Sequence, residues 1–495
     1  MKIFPVVFIL ILFGTIACKK ENKNWDITIN GITSASSPQA IDLNNDGVKD
    51  IVMGAGDEEW KKTEMGVVAI NGANGEILWK TSAKNQIVGS AVFIDINNDK
   101  TPDIIIGGRS AELQAINGKN GEKIWQFYDK KGSLSARDDG WYNFYNPQLV
   151  SDQNNDGLKD ILICNGGDAV IPAGMKNRPP GKLMLIDTKT GKILAEDFMP
   201  DAQETYFSPV CLDDSKNPTI IFGSGGETRQ GHLYKCKLSD IQNKTLKNAL
   251  VLDSTLQKGY IAPPILADFT NDGIYDILVN TAEGSTKLFD GKTNAVVWSI
   301  KCDSAEVFSQ PAVGYFTGAD KTLDVFVSYG KGIYPIYKST EQWLIDGKTG
   351  IIIKKYTDKR FTYISPLTID LNQDGVDDVL MSTVKDSLIN GREKPFYELS
   401  TFDFKNNKTG FIATRHNGAC FASTPWIGDL DNDQQLDIIY SGSPAIISEF
   451  PGSTSYQHPA LDLFVHRMKF PKIPSKTVRW GNYMGVDSKS ILSLK

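Results

Sequence analysis

The stretch Asp42-Leu-Asn44-Asn-Asp46-Gly47-Val48-Lys-Asp50, followed by the apolar run Ile51 to Gly54, is repeated along this chain. Near copies start at Asp95, Asp152, Asp268, Asp370 and Asp429. Two eroded copies keep the register: Pro209 to Gly223 retains Asp213, Ser215 and Asn217, and Pro311 to Gly330 retains Asp324. A proline or small residue stands four places before the first Asp at Pro38, Ala91, Pro209, Pro264, Pro366 and Pro425, and the same rule puts Tyr315 at the lost position after Pro311. The unit starts are therefore 42, 95, 152, 213, 268, 315, 370 and 429. A period of this size makes one supersecondary unit the building block of the whole fold, so the repeat decides the architecture before any single element does.

A second signature follows each acidic loop. Ala69-Ile-Asn71-Gly-Ala-Asn74-Gly75-Glu-Ile-Leu-Trp79 reads as two short strands around a tight turn, and matching stretches end at Trp125, Ala195, Trp298 and Lys354. The tryptophans suit the seam between neighbouring sheets, where a large aromatic fills space efficiently. One unit thus reads as four strands, Gln39 to Asp42, Ile51 to Gly54, Val67 to Ile70 and Glu76 to Lys80, with no long helical periodicity between them. Repeated four-stranded sheets around an axis make an all-β fold, a β-propeller. Eight units predict eight blades, with seven blades plus an irregular module as the alternative. Asp26 to Asn30 is expected to complete the last sheet, whose own strands run through Asp462 to Met468 and Thr477 to Gly481.

The acidic loops, with the glycine after each second strand, resemble the FG-GAP repeats of integrin α-subunit propellers and their bacterial relatives. The Trp79 element is similar to the tryptophan-docking repeat of quinoprotein-like propellers, and the two resemblances together cover residues from about 30 to 470. Loop positions 1, 3, 5 and 9 supply side-chain oxygens, position 7 a backbone carbonyl, and glycine at 6 the sharp turn. Hard oxygen ligands at that spacing suit Ca2+. The candidate ligands are Asp42, Asn44, Asp46, Val48 and Asp50; Asp95, Asn97, Asp99 and Asp103; Asp152, Asn154, Asp156 and Asp160. Three further sets are Asp268, Thr270, Asp272 and Asp276; Asp370, Asn372, Asp374 and Asp378; and Asp429, Asp431, Asp433 and Asp437. Lys100 and Gln434 replace the glycine in two loops. The competing reading is that these Asp and Asn side chains cap tight turns by bonding to the backbone.

Lys2 precedes an apolar run, Ile3 to Phe13, that is too short to span a bilayer and reads as a targeting signal. Gly14-Thr15-Ile16-Ala17-Cys18 resembles a bacterial lipobox, although Thr15 and Ile16 depart from its usual residues, and the polar stretch Lys19 to Asn24 suits a tether. Residues 1–17 are read as a lipoprotein signal peptide, 18–28 as the lipidated Cys18 and a flexible tether, and 29–495 as one propeller. The reading places the protein on the bacterial cell envelope, at the outer membrane, with a lipid anchor. With 53 basic against 59 acidic residues the net charge is -6, which gives no basic field for a nucleic acid. The five cysteines beyond Cys18 show no metal or redox spacing.

In propellers the segments entering each innermost strand ring one mouth of the channel, and the integrin resemblance implies that the acidic loops lie on the other face. The entering segments here hold a candidate ligand face of Arg137, Asp139, Trp141, Tyr145, Tyr206, Tyr260 and Tyr363, suited to a protein or carbohydrate partner, with packing between blades as the competing role. Phe308 belongs to the same set. The four histidines follow no ligand spacing, and no nucleophile elbow, zincin or P-loop motif is present. Quinoprotein dehydrogenases typically carry an adjacent cysteine pair, which this chain lacks. The leading expectation is a calcium-stabilised binding or scaffold lipoprotein. The alternatives are a calcium-dependent polysaccharide lyase and an outer-membrane assembly lipoprotein.

Overall fold

In the first unit the strands form at Gln39–Ile41, Asp50–Gly54, Thr63–Ile70 and Ile77–Ala83, and they pair antiparallel in that order. The computed structural model describes residues 24–57, 61–109, 112–127, 143–166, 175, 178–318, 322–333, 336–359, 362–389, 392–412, 415–420, 422–444, 446–447, 456–457, 461–485 and 488–493. The same sheet recurs around a ring, with innermost strands Gln39–Ile41, Val92–Ile94, Gln148–Val150, Val210–Cys211, Ile265–Ala267, Ala312–Gly314, Leu367–Ile369 and Trp426–Gly428. These are the eight blades of a β-propeller, which settles the count against seven. Among the described residues the α-helix is limited to Leu238–Gln242.

Strand composition follows position in the blade. Second strands such as Asp50–Gly54 and Asp103–Gly107 are buried along their whole length, because sheets cover both of their faces. Outermost strands alternate: Ile352–Asp358 turns one side to the blade and one to solvent.

Blade seams are built from the tryptophans. Trp79 Nε1 donates to Gly118 O of the next blade at 2.7 Å, Trp125 to Thr188 O at 2.7 Å and Trp298 to Gly347 O at 2.7 Å. A Cβ at Gly121 would lie 2.8 Å from the Trp79 ring, and its φ of 75° is one that L side chains rarely adopt, so glycine is required there twice over. Blade 8 uses Trp25 in the same way, donating to Gly72 O of blade 1 at 2.9 Å.

The ring closes at its amino-terminal end with the expected strand: Trp25–Asn30 is the outer strand of blade 8 and pairs with Asp462–Pro474, so the propeller begins at Trp25, inside the stretch 18–28 expected to be a flexible tether. The expected strand at Thr477 to Gly481 is placed differently. Val478–Trp480 pairs with Leu367–Ile369, the innermost strand of blade 7, because the chain leaves blade 8 and enters the channel. It rises past Ile427, turns at Tyr483 and descends beside Leu266, whose N–H donates to Ser490 O at 2.9 Å. Gln148 Nε2 reaches Ser488 O, and Gln310 Nε2 reaches Ser490 Oγ, both at 2.6 Å. The tail is a hairpin-like plug whose backbone polar groups are satisfied by innermost strands from several blades.

Candidate functional site

The two faces of the ring carry different chemistry. On one face lie the loops between first and second strands. Asp42 accepts from the N–H groups of Asn45 at 2.7 Å and Gly47 at 3.0 Å, Asn44 from Asp46 at 2.9 Å, and Asp46 from Val48 at 2.7 Å. Asp50 turns inward and accepts from Leu43 at 2.9 Å and from Gly72, in the hairpin of the same blade, at 3.0 Å.

The pattern repeats. The first acids, Asp95, Asp152, Asp268, Asp370 and Asp429, accept from position 6, while Asp99, Asp156, Asp272, Asp374 and Asp433 accept from position 7. Asn97, Asn154 and Asn372 accept from position 5, whereas Thr270 uses its own N–H to bond Asp276. The ninth-position carboxylates Asp103, Asp160, Asp276, Asp378 and Asp437 are buried and accept from position 2. Burial pushes the carboxyls of Asp50 and Asp160 up to about 6 and that of Asp378 to about 7, against the pull of their backbone hydrogen bonds. Lys100 and Gln434 take φ of 70° and 68°, so both loops without glycine keep the left-handed turn.

Asp429, Asp431 and Asp433 bring carboxylate oxygens within 4.8 Å of one another, the one such grouping among the described residues. It already has organic cations. Lys469 Nζ lies 2.6 Å from Asp431 and 2.5 Å from Asp433, and Arg467 Nη2 lies 2.8 Å from Asp431 and 2.9 Å from Asp437.

The other face opens into a funnel of about 470 Å³ on the ring axis. Its wall takes residues from the entering segments of all eight blades, including Ser37, Ser90, Tyr145, Tyr206, Ile261, Phe308, Tyr363 and Thr424. Tyr483, at the tip of the tail, lies at its floor, where its hydroxyl is 3.3 Å from Asn146 Nδ2. Of the aromatic face expected from sequence, Tyr145, Tyr206 and Tyr363 line the funnel, and Phe308 joins them. Tyr260 does not. It is fully buried, packed edge-on to Phe207 at 6.5 Å with its hydroxyl on Asp253, so it belongs to the packing between blades. Arg137, Asp139, Trp141 and Cys18 lie outside the described residues.

The charged part of the wall spans blades 2 to 4. Arg178 Nη1 donates to Glu204 at 2.5 Å and to the Tyr206 hydroxyl at 2.9 Å, and that hydroxyl donates to Glu204 at 3.1 Å. Glu227 faces the same cavity; burial, then the charge of Glu204, raises its carboxyl above the usual range. Arg109, Arg178 and Glu227 were not anticipated, because they sit in loops between second and third strands rather than in the entering segments. Gly107-Gly108 before Arg109 and Gly225-Gly226 before Glu227 are a signal that could have found two of them: small residues let these loops fold inward over the axis.

A family profile described as outer membrane protein assembly factor BamB, of the PQQ repeat type, matches residues 61–208. That match covers under a third of the chain, and the fold of the whole is an eight-bladed β-propeller. Solved structures of similar fold include the europium-containing methanol dehydrogenase, at 9% identity and a TM-score of 0.51, covering 90% of this chain and 92% of that one. BamB from Moraxella catarrhalis matches at 13% identity and a TM-score of 0.46, covering 90% of this chain and 100% of that one. The quinohemoprotein alcohol dehydrogenase from Comamonas testosteroni matches at 12% identity and a TM-score of 0.48, covering 91% and 77%. Such identities speak to the propeller fold alone. No curated protein matches the sequence.

Proposed function

We propose that this PQQ-like propeller is a binding scaffold of the bacterial cell envelope, tethered by a lipid on Cys18, that holds a partner at its funnel. The observation that carries the reading is the convergence of all eight entering segments on one cavity floored by the chain's own tail. Such a cavity, within the roughly 300–1,000 Å³ typical of ligand sites, is built by the whole ring. The match of residues 61–208 to a profile described by outer-membrane protein assembly supports an envelope setting and a protein partner.

Calcium in the acidic loops completes the proposal, with Asp42, Asn44 and Asp46 and their counterparts as the hard oxygen donors; Asp50 stands apart from them, turned inward with both carboxylate oxygens held by the N–H groups of Leu43 and Gly72. Carboxylate and amide oxygens of this kind are the hard donors that suit Ca2+. Its role would be folding free energy by mass action.

The test is a photo-crosslinking residue placed at Phe308 in the full-length protein in cells, with a second at Lys49 on the acidic-loop face as control. An adduct specific to position 308 is expected; equal labelling from both positions would remove the funnel as the binding site.

A further inference from the structure

The residue just before the proline or small residue of each entering segment occupies the same place in every blade, and these residues are hydrogen-bonded to one another around the axis. The N–H of Gln310 on blade 6 donates to Ser365 Oγ on blade 7 at 3.1 Å, that of Ser365 to Thr424 Oγ1 on blade 8 at 3.1 Å, and that of Thr424 to Ser37 Oγ on blade 1 at 3.0 Å. The N–H of Ser37 donates to Ser90 Oγ on blade 2 at 3.3 Å, and that of Ser90 to Asn146 Oδ1 on blade 3 at 2.7 Å. Asn146 Nδ2 carries the belt on to Ser208 Oγ of blade 4 at 3.0 Å. Blade 5 has Pro263 at this position, with neither an N–H nor a polar side chain. There the tail fills the gap: Gln310 Nε2 donates to Ser490 Oγ, and Ser490 Oγ to Pro264 O.

The belt leaves one kind of group unused. A hydroxyl offers one donor and two acceptor positions. Ser365, Thr424, Ser37 and Ser90, on consecutive blades, each accept one backbone N–H, and none of their O–H groups has an acceptor among the described residues. The four side chains belong to residues only 1% to 5% exposed, and what exposure remains opens on the funnel they line. An O–H whose oxygen already accepts an N–H is polarised into a better donor, and a buried donor without an acceptor is a standing cost. Only an end can reach them, because the tail occupies the channel below Tyr483, with Met484 and Ser490 fully buried. Arg109 and Arg178 line the same cavity and keep their charge. Glu227 stands on blade 4, across the axis from Thr424 on blade 8, and burial raises its carboxyl above the usual range.

We infer that the funnel floor takes the carboxylate at the end of a partner protein chain, held by the hydroxyls of Ser365, Thr424, Ser37 and Ser90. The inference rests on the binding-scaffold reading and names the chemistry of the partner's contact. An ionised carboxylate only accepts, at about four lone-pair positions on its two oxygens, and each of these hydroxyls brings one donor from a different blade. Hydrogen bonds to a charged acceptor are stronger than those between neutral groups. An ammonium would need acceptors instead, and at each of these oxygens a backbone N–H already takes one lone pair. A chain end suits a blind cavity, since it brings its carboxylate on a narrow stem and needs no exit. Capture of a terminal carboxylate by donors fixed in advance is a recurring mode of peptide recognition.

The experiment screens the full chain, purified in detergent, on an array of peptides made in pairs, one with a free carboxylate at its carboxyl end and one amidated, followed by titration of the best pair. We expect the acid form to be retained and its amide to bind about tenfold more weakly or worse, the loss of one charge-assisted contact. Thr424→Val keeps the shape of the side chain and removes its hydroxyl; it should weaken the acid form by a similar factor and hardly move the amide. Because Thr424 also accepts the Ser365 N–H, melting of the variant is followed in parallel, and the comparison of acid with amide on the unaltered protein stands by itself if the variant does not fold. Acid and amide forms of equal affinity overturn the inference and leave the scaffold standing. So does an acid form that binds a folded Thr424→Val protein as tightly as the parent. A screen that retains no peptide also overturns the inference, and if position 308 gives no specific adduct in cells the scaffold falls with it.

Discussion

Lys469 shows at the scale of one residue how an acidic loop is neutralised. Its ammonium is buried and lies between Asp431 and Asp433, where a divalent ion is expected in the other loops. Removing one partner of a buried charge group leaves the others uncompensated. Lys469→Met should therefore cost about 3–5 kcal/mol in denaturant melts, and added CaCl2 should restore part of that loss in the variant. A loss unaffected by Ca2+ would mean that the vacated carboxylates do not take the ion. Lys100 and Gln434 give a second residue-scale prediction. Both hold the left-handed turn that glycine provides in the other four intact loops. Lys100→Gly and Gln434→Gly should each raise stability by roughly 0.5–1 kcal/mol, the strain of a left-handed L residue less the extra chain entropy of glycine. Unfolding midpoints that fall instead would show that these side chains hold the loops by other means.

The ring-closing strand poses the question at the scale of an element. His466, on Asp462–Pro474, donates or accepts at both ring nitrogens: Asp26 Oδ1 of the closing strand lies 2.6 Å from Nδ1, and the Tyr397 hydroxyl 2.7 Å from Nε2. His416 stacks on it at 4.0 Å and bonds the Tyr440 hydroxyl, which faces the same cluster. Burial holds His466 down at about 4; the hydrogen bond to Asp26 opposes this, and His416 adds to it. A histidine depressed in the folded state binds its proton in the unfolded chain first. Its contribution is whole above pH 6.5 and is lost as pH falls toward 4, up to about 3 kcal/mol. Amide exchange in Trp25–Asn30, corrected for intrinsic rate, should therefore quicken across that window; protection that stays flat to pH 4 would show that His466 does not govern the closure. The closing strand was legible in sequence because Asp26 to Asn30 precedes the first repeat unit and a closed ring needs such a stretch to complete its last sheet. Trp25 was not read as a docking residue, since it stands more than 400 residues from the blade it completes and outside the repeat that marks Trp79.

For the whole molecule, eight blades could be read from the spacing of the acidic loops even where blades 4 and 6 had lost them, because prolines and small residues entering each sheet kept the register. The funnel was half legible. Tyr145, Tyr206 and Tyr363 stand in entering segments and were found by position, while Tyr260, equally placed in sequence, turned into the seam because its hydroxyl had Asp253 to bond. The place of the tail was not legible: Thr477 to Gly481 was expected as a strand of blade 8, but the tail follows no repeat, and its role depends on a channel that exists only once the ring has formed. Removing residues 478–495 should lower the melting temperature by many degrees, since it strips the hydrogen-bond partners from Gln148, Leu266 and Gln310 at once. A truncated protein that melts with the parent would reduce the tail to a passenger.

Trp25 carries one more consequence. It docks on Gly72, and Gly72 binds Asp50, so the chain enters the ring on the acidic-loop face, opposite the funnel. Cys18 lies only seven residues upstream, a leash of about 25 Å at full stretch. A lipid there would hold the disc like a dish fixed by its underside. The acidic loops would then lie against the headgroups, where their carboxylates would meet the charge of the bilayer, and the funnel would look away from the membrane that carries it.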